Sequence, residues 1–404
     1  MGLYPYQLDG VAFLAGAPRR YLADEMGVGK TVQACAACQY LNLKRVLVIA
    51  PASTRPNWRY EFESWGPRGA TLTAVSYDRL SRNRDNYSGK DYDVVILDEA
   101  HYCKSRRAKR SCAALSIAAE APRAWLLSGT PMPNHPGELW YPLRMLWPDL
   151  VDKSYQKFFD RFVIWRATEW GPKPVGLKDK AGLRELLRQV MMRRTVDSIG
   201  VQLPPLRVDV QLTPRVDLEE YLGEDAPVLA ALAAEERADE ASLSRLRKLL
   251  GVAKAPFVAS VLKDELESGA YGKLVVLAHH RDVLDLLEDA LSDLGVVRVD
   301  GSSTDRQREQ AIDGFRADPS KRVFLGQQTA AGTGVNLQVA NELVLLEPSW
   351  VPAENHQAIK RIHRIGSNQP CRARIFAISG TLDEAVMRTI ANKTRMIDAL
   401  LTPA

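Results

Sequence analysis

Short apolar runs alternate with longer segments of helical spacing in two separate stretches of the chain. In the first stretch, Tyr21–Ala23, Arg45–Ala50, Thr71–Ser76, Asp93–Leu97 and Ala124–Leu127 predict strands. In the second, Lys273–Ala278, Val296–Val299, Arg322–Leu325, Glu342–Leu346 and Arg374–Ile378 do the same. Helices are predicted where apolar residues recur every three or four positions, as at Leu183, Leu186, Leu187, Val190 and Met191, or at Val283, Leu287, Leu291 and Leu294. Strands alternating with helices predict an α/β fold in which helices cover a parallel sheet, here twice over. The region of about 135–265 between them carries few strand signals and many helical ones. Within it, Gln202-Leu203-Pro204-Pro205 forbids helix and favours an extended connection. A boundary placed there gives a domain of residues 1–205 with a helical protrusion over about 135–205. The second domain, 206–404, would carry its own protrusion over about 212–265.

Composition narrows the class. With 404 residues, 46% hydrophobic and 25% charged, the chain reads as an ordinary soluble globular protein of two or three domains. No apolar run approaches the roughly 20 residues that cross a bilayer, so no membrane partner is expected. Met1–Gly10 lacks a basic head and an apolar stretch, and Tyr6 breaks the N-myristoylation pattern, so a cytoplasmic protein is expected. Five cysteines are too few and too scattered for a disulfide framework. The lone pair Cys35 and Cys38, inside an alanine-rich helix, reads as buried packing rather than a metal site. Net charge is +5, but residues 1–205 carry 30 basic against 20 acidic side chains. The acidic excess of the second half is concentrated in Asp217–Glu240, read as a solvated helix face, so a polyanion could lie across both halves and avoid it.

Candidate chemistry begins at Asp24-Glu25-Met26-Gly27-Val28-Gly29-Lys30-Thr31, between a short strand and an alanine-rich helix. Gly27 and Gly29 let the backbone turn so that its N–H groups and the helix N-terminus face a phosphate. Lys30 can reach the β- and γ-phosphates of ATP, and the Thr31 hydroxyl can coordinate Mg²⁺. Asp24 stands where the strict phosphate-loop pattern has its first glycine. Asp98 and Glu99 end an apolar strand, where carboxylates point into the crevice onto which the phosphate loop opens. Asp98 would bind Mg²⁺ and Glu99 would deprotonate the attacking water. Ser128 and Thr130, again just past a strand, can relay the state of the γ-phosphate by hydrogen bonds. The missing cation is supplied in Gln357–Gly366, where Arg361 and Arg364 lie three apart on a predicted helix and can act as arginine fingers in cis. So far from Lys30 in sequence, they would complete the site only when the two lobes close. Between Lys104 and Arg110, five positive charges (Lys104, Arg106, Arg107, Lys109 and Arg110) can grip phosphates without reading sequence. Tryptophans 58, 65, 140, 147 and 350 could stack on unpaired bases, although core packing accounts for most tryptophans.

Together these elements resemble the Swi/Snf-type ATPases of helicase superfamily 2 over nearly the whole chain. The marks are Tyr6-Gln7, the loop 24–31, Ala50-Pro51-Ala52-Ser53 with Asn57-Trp58, Asp98–His101, and Ser128–Pro131 with Asn134. They continue with Arg193-Arg194 before Leu203-Pro204-Pro205, Gly332–Leu337, and Gln357–Gly366. Ala278-His279-His280 and Asp300–Ser303 are most similar to the HepA-related annealing helicases. The resemblance implies two RecA-like lobes, ATP with Mg²⁺, and translocation on double-stranded DNA without separating the strands. It assigns adenine recognition to Gln7, and nucleotide contact to Asp24, Gly27, Val28, Gly29 and Gly332. Contact with the tracked strand falls to Pro51, Ser53, Ser76 and Tyr77. Coupling or DNA contact falls to His101, Ser128, Thr130, His279, Thr333, Asn336 and Gln357. Val28, Ser105, Thr333 and Ser367 depart from the family pattern without removing a catalytic group. A chain running from the first motif to just past the last is expected to be a bare, monomeric motor, and one lacking a basic nuclear-targeting tail to be bacterial or viral. Protein partners stay unidentified. Annealing, which relatives owe to appended modules, is not carried over. Two rival readings stand beside this one: a strand-separating helicase on DNA or RNA, and a DNA-binding subunit whose ATPase is vestigial.

Overall fold

The structure is a computed structural model, and it describes residues 2–168, 171–214, 240–328, 335–349 and 352–378. The chain divides into two compact units that meet in sequence at Gln202 and Leu203. In the first unit the strands are β1 (Arg19–Leu22), β2 (Arg45–Ala50), β3 (Thr71–Ser76), β4 (Val94–Asp98), β5 (Ala124–Leu127), β6 (Val163–Thr168), β7 (Gly171–Leu177) and β8 (Met191–Met192). Six of them form a parallel sheet in the order β3-β2-β4-β5-β1-β8, while β6 and β7 make a separate antiparallel hairpin. The sheet is buried on both faces. Leu47, Val95 and Leu126 point to one core with Leu115 and Leu143; Val48, Ile96 and Trp125 point to the other with Cys35, Trp58 and Phe62. That alternation follows from the two-residue repeat of a strand.

Register decides where the chemistry lies. Asp98 of β4 is level with Leu127 of β5, and Leu127 is level with Leu22 of β1. The three loops that leave these strands therefore emerge side by side at one edge of the sheet. They are the glycine loop 23–29, the turn beginning at Glu99, and Ser128–Thr130.

The second unit is built alike from β9 (Leu206–Thr213), β10 (Leu274–Ala278), β11 (Val296–Val299), β12 (Val323–Gln327), β13 (Glu342–Leu345) and β14 (Cys371–Ile378). All are parallel, in the order β11-β12-β10-β13-β14-β9. Both sheets are parallel and covered by helices, the α/β architecture that the strand and helix pattern predicted.

Three features differ from the sequence expectations. The stretch 135–205 holds a hairpin and an edge strand, β8, as well as helices. In the second unit, the helix Glu240–Glu267 buries Ala255, Val258, Leu262 and Leu266 in the core shared with the helix Arg281–Leu291 and β14, so this half of the expected protrusion covers the sheet. Arg361 and Arg364 are not on a helix. The helix Pro352–Ile359 ends before them, and the chain continues in tight turns (Arg361 N–H to Ala358 O, 3.0 Å). The Arg361 carbonyl accepts instead from the Leu337 N–H at 3.1 Å, a bond outside the helix that takes this carbonyl away from the helical pattern.

Candidate nucleotide site

The glycine loop owes its shape to two left-handed residues, Gly27 and Gly29, both at φ 85°. A side chain is strained at such a φ, and a Cβ on Gly29 would also come within 2.7 Å of the Gln7 amide nitrogen. Gly29 caps the helix Lys30–Tyr40, so free backbone N–H groups and the positive end of the helix open onto the loop. Gln7 lies against this loop, and its Oε1 accepts from the Tyr4 N–H at 3.0 Å. The Lys30 ammonium donates to the Asp24 and Glu25 carbonyls at 2.8 and 3.2 Å. Burial pulls its pKa below the ordinary lysine range, against the opposing charges of Glu99, Asp24 and Asp98. Val28 is buried and Thr31 is partly exposed in the first turn of the helix.

Asp24 is turned away from this opening. Its fully buried carboxylate pairs with the Arg194 guanidinium, and Oδ1 accepts from the Arg194 N–H at 3.1 Å. The missing first glycine of the phosphate loop is thus one half of a buried ion pair. Nearby, the Ala23 N–H donates to Met192 O, the Glu25 N–H to Arg194 O, and the Val196 N–H to the Glu25 carboxylate. Arg193 donates to both Ala23 O (2.8 Å) and Gly129 O (3.1 Å), joining the glycine loop to the Ser128–Thr130 turn. Sequence reading marked Arg193-Arg194 by resemblance and missed this buttress.

Asp98 closes β4 with both oxygens held. Oδ2 accepts from the Trp58 indole N–H at 2.8 Å, Oδ1 accepts from the Glu99 N–H at 3.0 Å, and its carbonyl accepts from the Tyr77 hydroxyl at 2.8 Å. Burial raises the Asp98 pKa to about 6, with the neighbouring Glu99 adding to the rise and Trp58 and Lys30 opposing it. A carboxylate so disfavoured as an anion fits a divalent cation, which would relieve the charge. Trp58 and Tyr77 are therefore supports of the carboxylate. Tyr77, expected at the DNA, is buried; Pro51 is buried too, and Ser53 and Ser76 are half-buried.

Glu99 sits at φ 50°, a left-handed conformation uncommon in a side-chain-bearing residue. Its Oε2 lies 3.3 Å from His101 Nδ1, which lies 3.0 Å from Ser128 Oγ, which accepts from the Thr130 N–H at 3.1 Å. The Glu99 carboxylate, the His101 ring and the Ser128–Thr130 turn thus lie side by side. Beyond it, Lys104 pairs with Glu138 at 2.9 Å, while Arg106 and Arg107 are exposed. Cys35 and Cys38 are buried, which pushes their thiols up, and no group of metal-ligating side chains occurs among the described residues. No helix among them is long and apolar enough to cross a membrane.

In the second unit, Gly366 at φ 98° and Ser367 shape the arginine turn. Ser367 Oγ accepts from the Arg364 N–H at 3.1 Å and donates to Ile362 O at 2.8 Å. His363 Nε2 lies 2.8 Å from Pro204 O. Asn336 accepts from Arg316 through its carbonyl, and Gln357 is buried. The backbone N–H groups of His279 and His280 both donate to the fully buried Glu347, whose other oxygen meets His280 Nδ1 at 2.7 Å. Gly332, Thr333, Trp350 and the acidic stretch up to Asp239 lie outside the described residues.

Residues 6–75 and 70–220 match the model of the SNF2-related domain, and residues 258–366 match the helicase conserved C-terminal domain. Among curated proteins, the chain is 30% identical to the DNA annealing helicase and endonuclease ZRANB3 of Mus musculus, over 99% of this chain and 41% of that protein. It is also 30% identical to the SWI/SNF-related matrix-associated actin-dependent regulator of chromatin subfamily A-like protein 1 of Xenopus tropicalis, over 98% of this chain and 44% of that protein. The chain thus spans less than half the length of these relatives. Among solved structures it is similar to the Sulfolobus solfataricus SWI2/SNF2 ATPase core in complex with dsDNA, at 21% identity, with a TM-score of 0.46 and coverage of 98% and 92% of the two chains.

Proposed function

The chain belongs to the SNF2-related family, and on that premise we propose that it is a DNA-dependent ATPase that uses hydrolysis of ATP to move along double-stranded DNA or remodel its protein complexes. The reading rests on the network that joins the glycine loop, the β4 carboxylates and the Ser128–Thr130 turn through Arg193, Glu99 and His101. These segments are far apart in sequence, and a phosphate-transfer site needs all three.

In this mechanism the loop N–H groups and Lys30 hold the β- and γ-phosphates, and Gln7 meets the base. Asp98 and Thr31 would hold Mg²⁺, which would supply charge neutralisation at the phosphates. Glu99 orients the attacking water and takes its proton, and His101 passes the resulting change of charge to Ser128 and Thr130. Arg361 and Arg364 supply positive charge to the transferring phosphoryl. Lys104, Arg106 and Arg107 contact the DNA backbone, which suits a motor that must pass any sequence. ATPase rates with blunt duplex, single-stranded DNA and RNA, beside displacement of a third strand from a triplex, test the proposal. Stimulation by blunt duplex together with triplex displacement supports it. Stimulation by single strands or RNA alone favours a strand-separating helicase, and no hydrolysis with any nucleic acid favours a vestigial site.

A further inference from the structure

In the first unit, Lys104–Arg107 and the segment His135–Tyr155 enclose a cleft of about 320 Å³ whose walls are aromatic; its rim carries Arg106 and Arg107, while Lys104 is paired with the buried Glu138 carboxylate that also lines it. The Trp140 ring is fixed there, because its indole N–H donates to Asp152 O at 2.9 Å. Tyr155 meets it edge-on at 5.5 Å and Tyr141 stacks on it at 6.3 Å. The Arg106 guanidinium lies 5.9 Å from the centroids of both Trp140 and Tyr155, over the ring faces. Its side chain is exposed and forms no ion pair with a described residue, so it can move aside and keep its charge on the rim. His135 also lines the cleft. Its Nδ1 is buried without a hydrogen-bond partner, and burial holds the ring below the ordinary histidine range, in its neutral form.

Three ligand classes can be weighed against this arrangement. A methylated or other organic cation would find the aromatic faces but be repelled by Arg106 and Arg107. A phosphorylated peptide would use the cations and leave the rings idle. A nucleotide uses both: a flat π-face against the half-buried Tyr155 ring, with the buried Trp140 behind it, and a phosphate for the arginines. The volume is at the small end for ligand pockets and suits one base rather than a stacked pair.

We propose that this cleft binds a single unpaired, extrahelical nucleotide of the DNA strand that the motor engages. The inference rests on the DNA-dependent reading above and adds a structural preference to it. A duplex with one unpaired base would be held more tightly than an intact duplex, through ring contacts that the sequence-blind backbone contacts of Arg106 and Arg107 do not supply. Because Lys104 follows the Ala100–Cys103 turn directly after Glu99, the cleft also adjoins the catalytic strand.

The test uses the full chain and fluorescence anisotropy with two labelled duplexes, one intact and one carrying a single bulged thymine. The wild type is expected to bind the bulged duplex roughly tenfold more tightly, the range that one base–aromatic stack supplies. Tyr155→Ala should reduce that preference to twofold or less while changing affinity for the intact duplex by less than threefold, and Tyr155→Phe should retain it. Thermal melting confirms that each variant is folded. Equal affinity of the wild type for the two duplexes overturns the proposal, as does a preference undiminished in Tyr155→Ala. Failure of the wild type to bind either duplex would instead remove the DNA-dependent reading beneath it.

Discussion

Replacing Trp58 by Phe removes the indole N–H, together with part of the ring, and should change how the whole site responds to pH. The indole N–H donates to Asp98 Oδ2 at 2.8 Å, and both side chains are buried. A hydrogen bond to a charged group contributes about 1.5–3 kcal/mol. At about 1.4 kcal/mol per pKa unit, losing it moves the buried carboxyl up by roughly one to two units. Asp98 starts at about 6, so the variant would ionise near pH 7–8. The sign follows from the chemistry: only the ionised carboxylate holds a metal ion, so a raised pKa shifts the acid limb of activity to higher pH. The assay is the Mg²⁺ dependence of ATP hydrolysis between pH 6 and 9, with saturating duplex DNA. At pH 7 the variant should require about two- to tenfold more Mg²⁺ for half-maximal rate, and near pH 9 the two proteins should converge. An acid limb and Mg²⁺ requirement identical to the wild type would refute the role given to Trp58. A uniform loss of rate at every pH would place its role in packing alone.

Other perturbations read the same site differently. Lys30→Ala should abolish hydrolysis while leaving salt-sensitive DNA binding within a few-fold of wild type, checked by ATPase and anisotropy side by side. Glu99→Gln should still bind ATP yet hydrolyse it at least a hundredfold more slowly, as the loss of a general base predicts; single-turnover assays with labelled ATP measure both. Arg194→Met strands the buried Asp24 without its positive partner and should cost about 3–5 kcal/mol of stability by denaturant melt, with Asp24→Asn in the same chain recovering part of the loss. Among the described cysteines Cys112 alone is exposed, so a native-state thiol titration should modify it rapidly and the other four only on unfolding.

Most strands were legible because parallel strands buried on both faces read as unbroken apolar runs. β2, β3, β5 and β11 run between the same residues that the pattern predicted. β9 escaped, although Leu206, Val208, Val210 and Leu212 alternate with polar residues, because it stands alone after the paired prolines. β7 is masked by Pro172 and Pro174, which argue against a strand, yet an isolated hairpin tolerates proline where a central strand does not. The helix predicted through Arg361 and Arg364 failed because a tertiary bond to Leu337 decides the conformation there. Within the site, local spacing located the glycine loop, Asp98 and Glu99. Trp58 and Arg194 lie 40 and 170 residues from their carboxylate partners, and no local pattern announces a pairing over that distance.

The way the chain leaves one sheet and enters the other sets where it can be severed. Everything that ties Met192, Arg193, Arg194 and Val196 to the glycine loop precedes Asp197, whereas Pro204 and Pro205 already serve the second half by accepting from, or facing, Cys371 and His363. A gene split within codons 197–203 should therefore yield two fragments that each keep their own fastenings. A split ten residues earlier would leave the first fragment with a negative charge sealed in its interior and nothing to answer it.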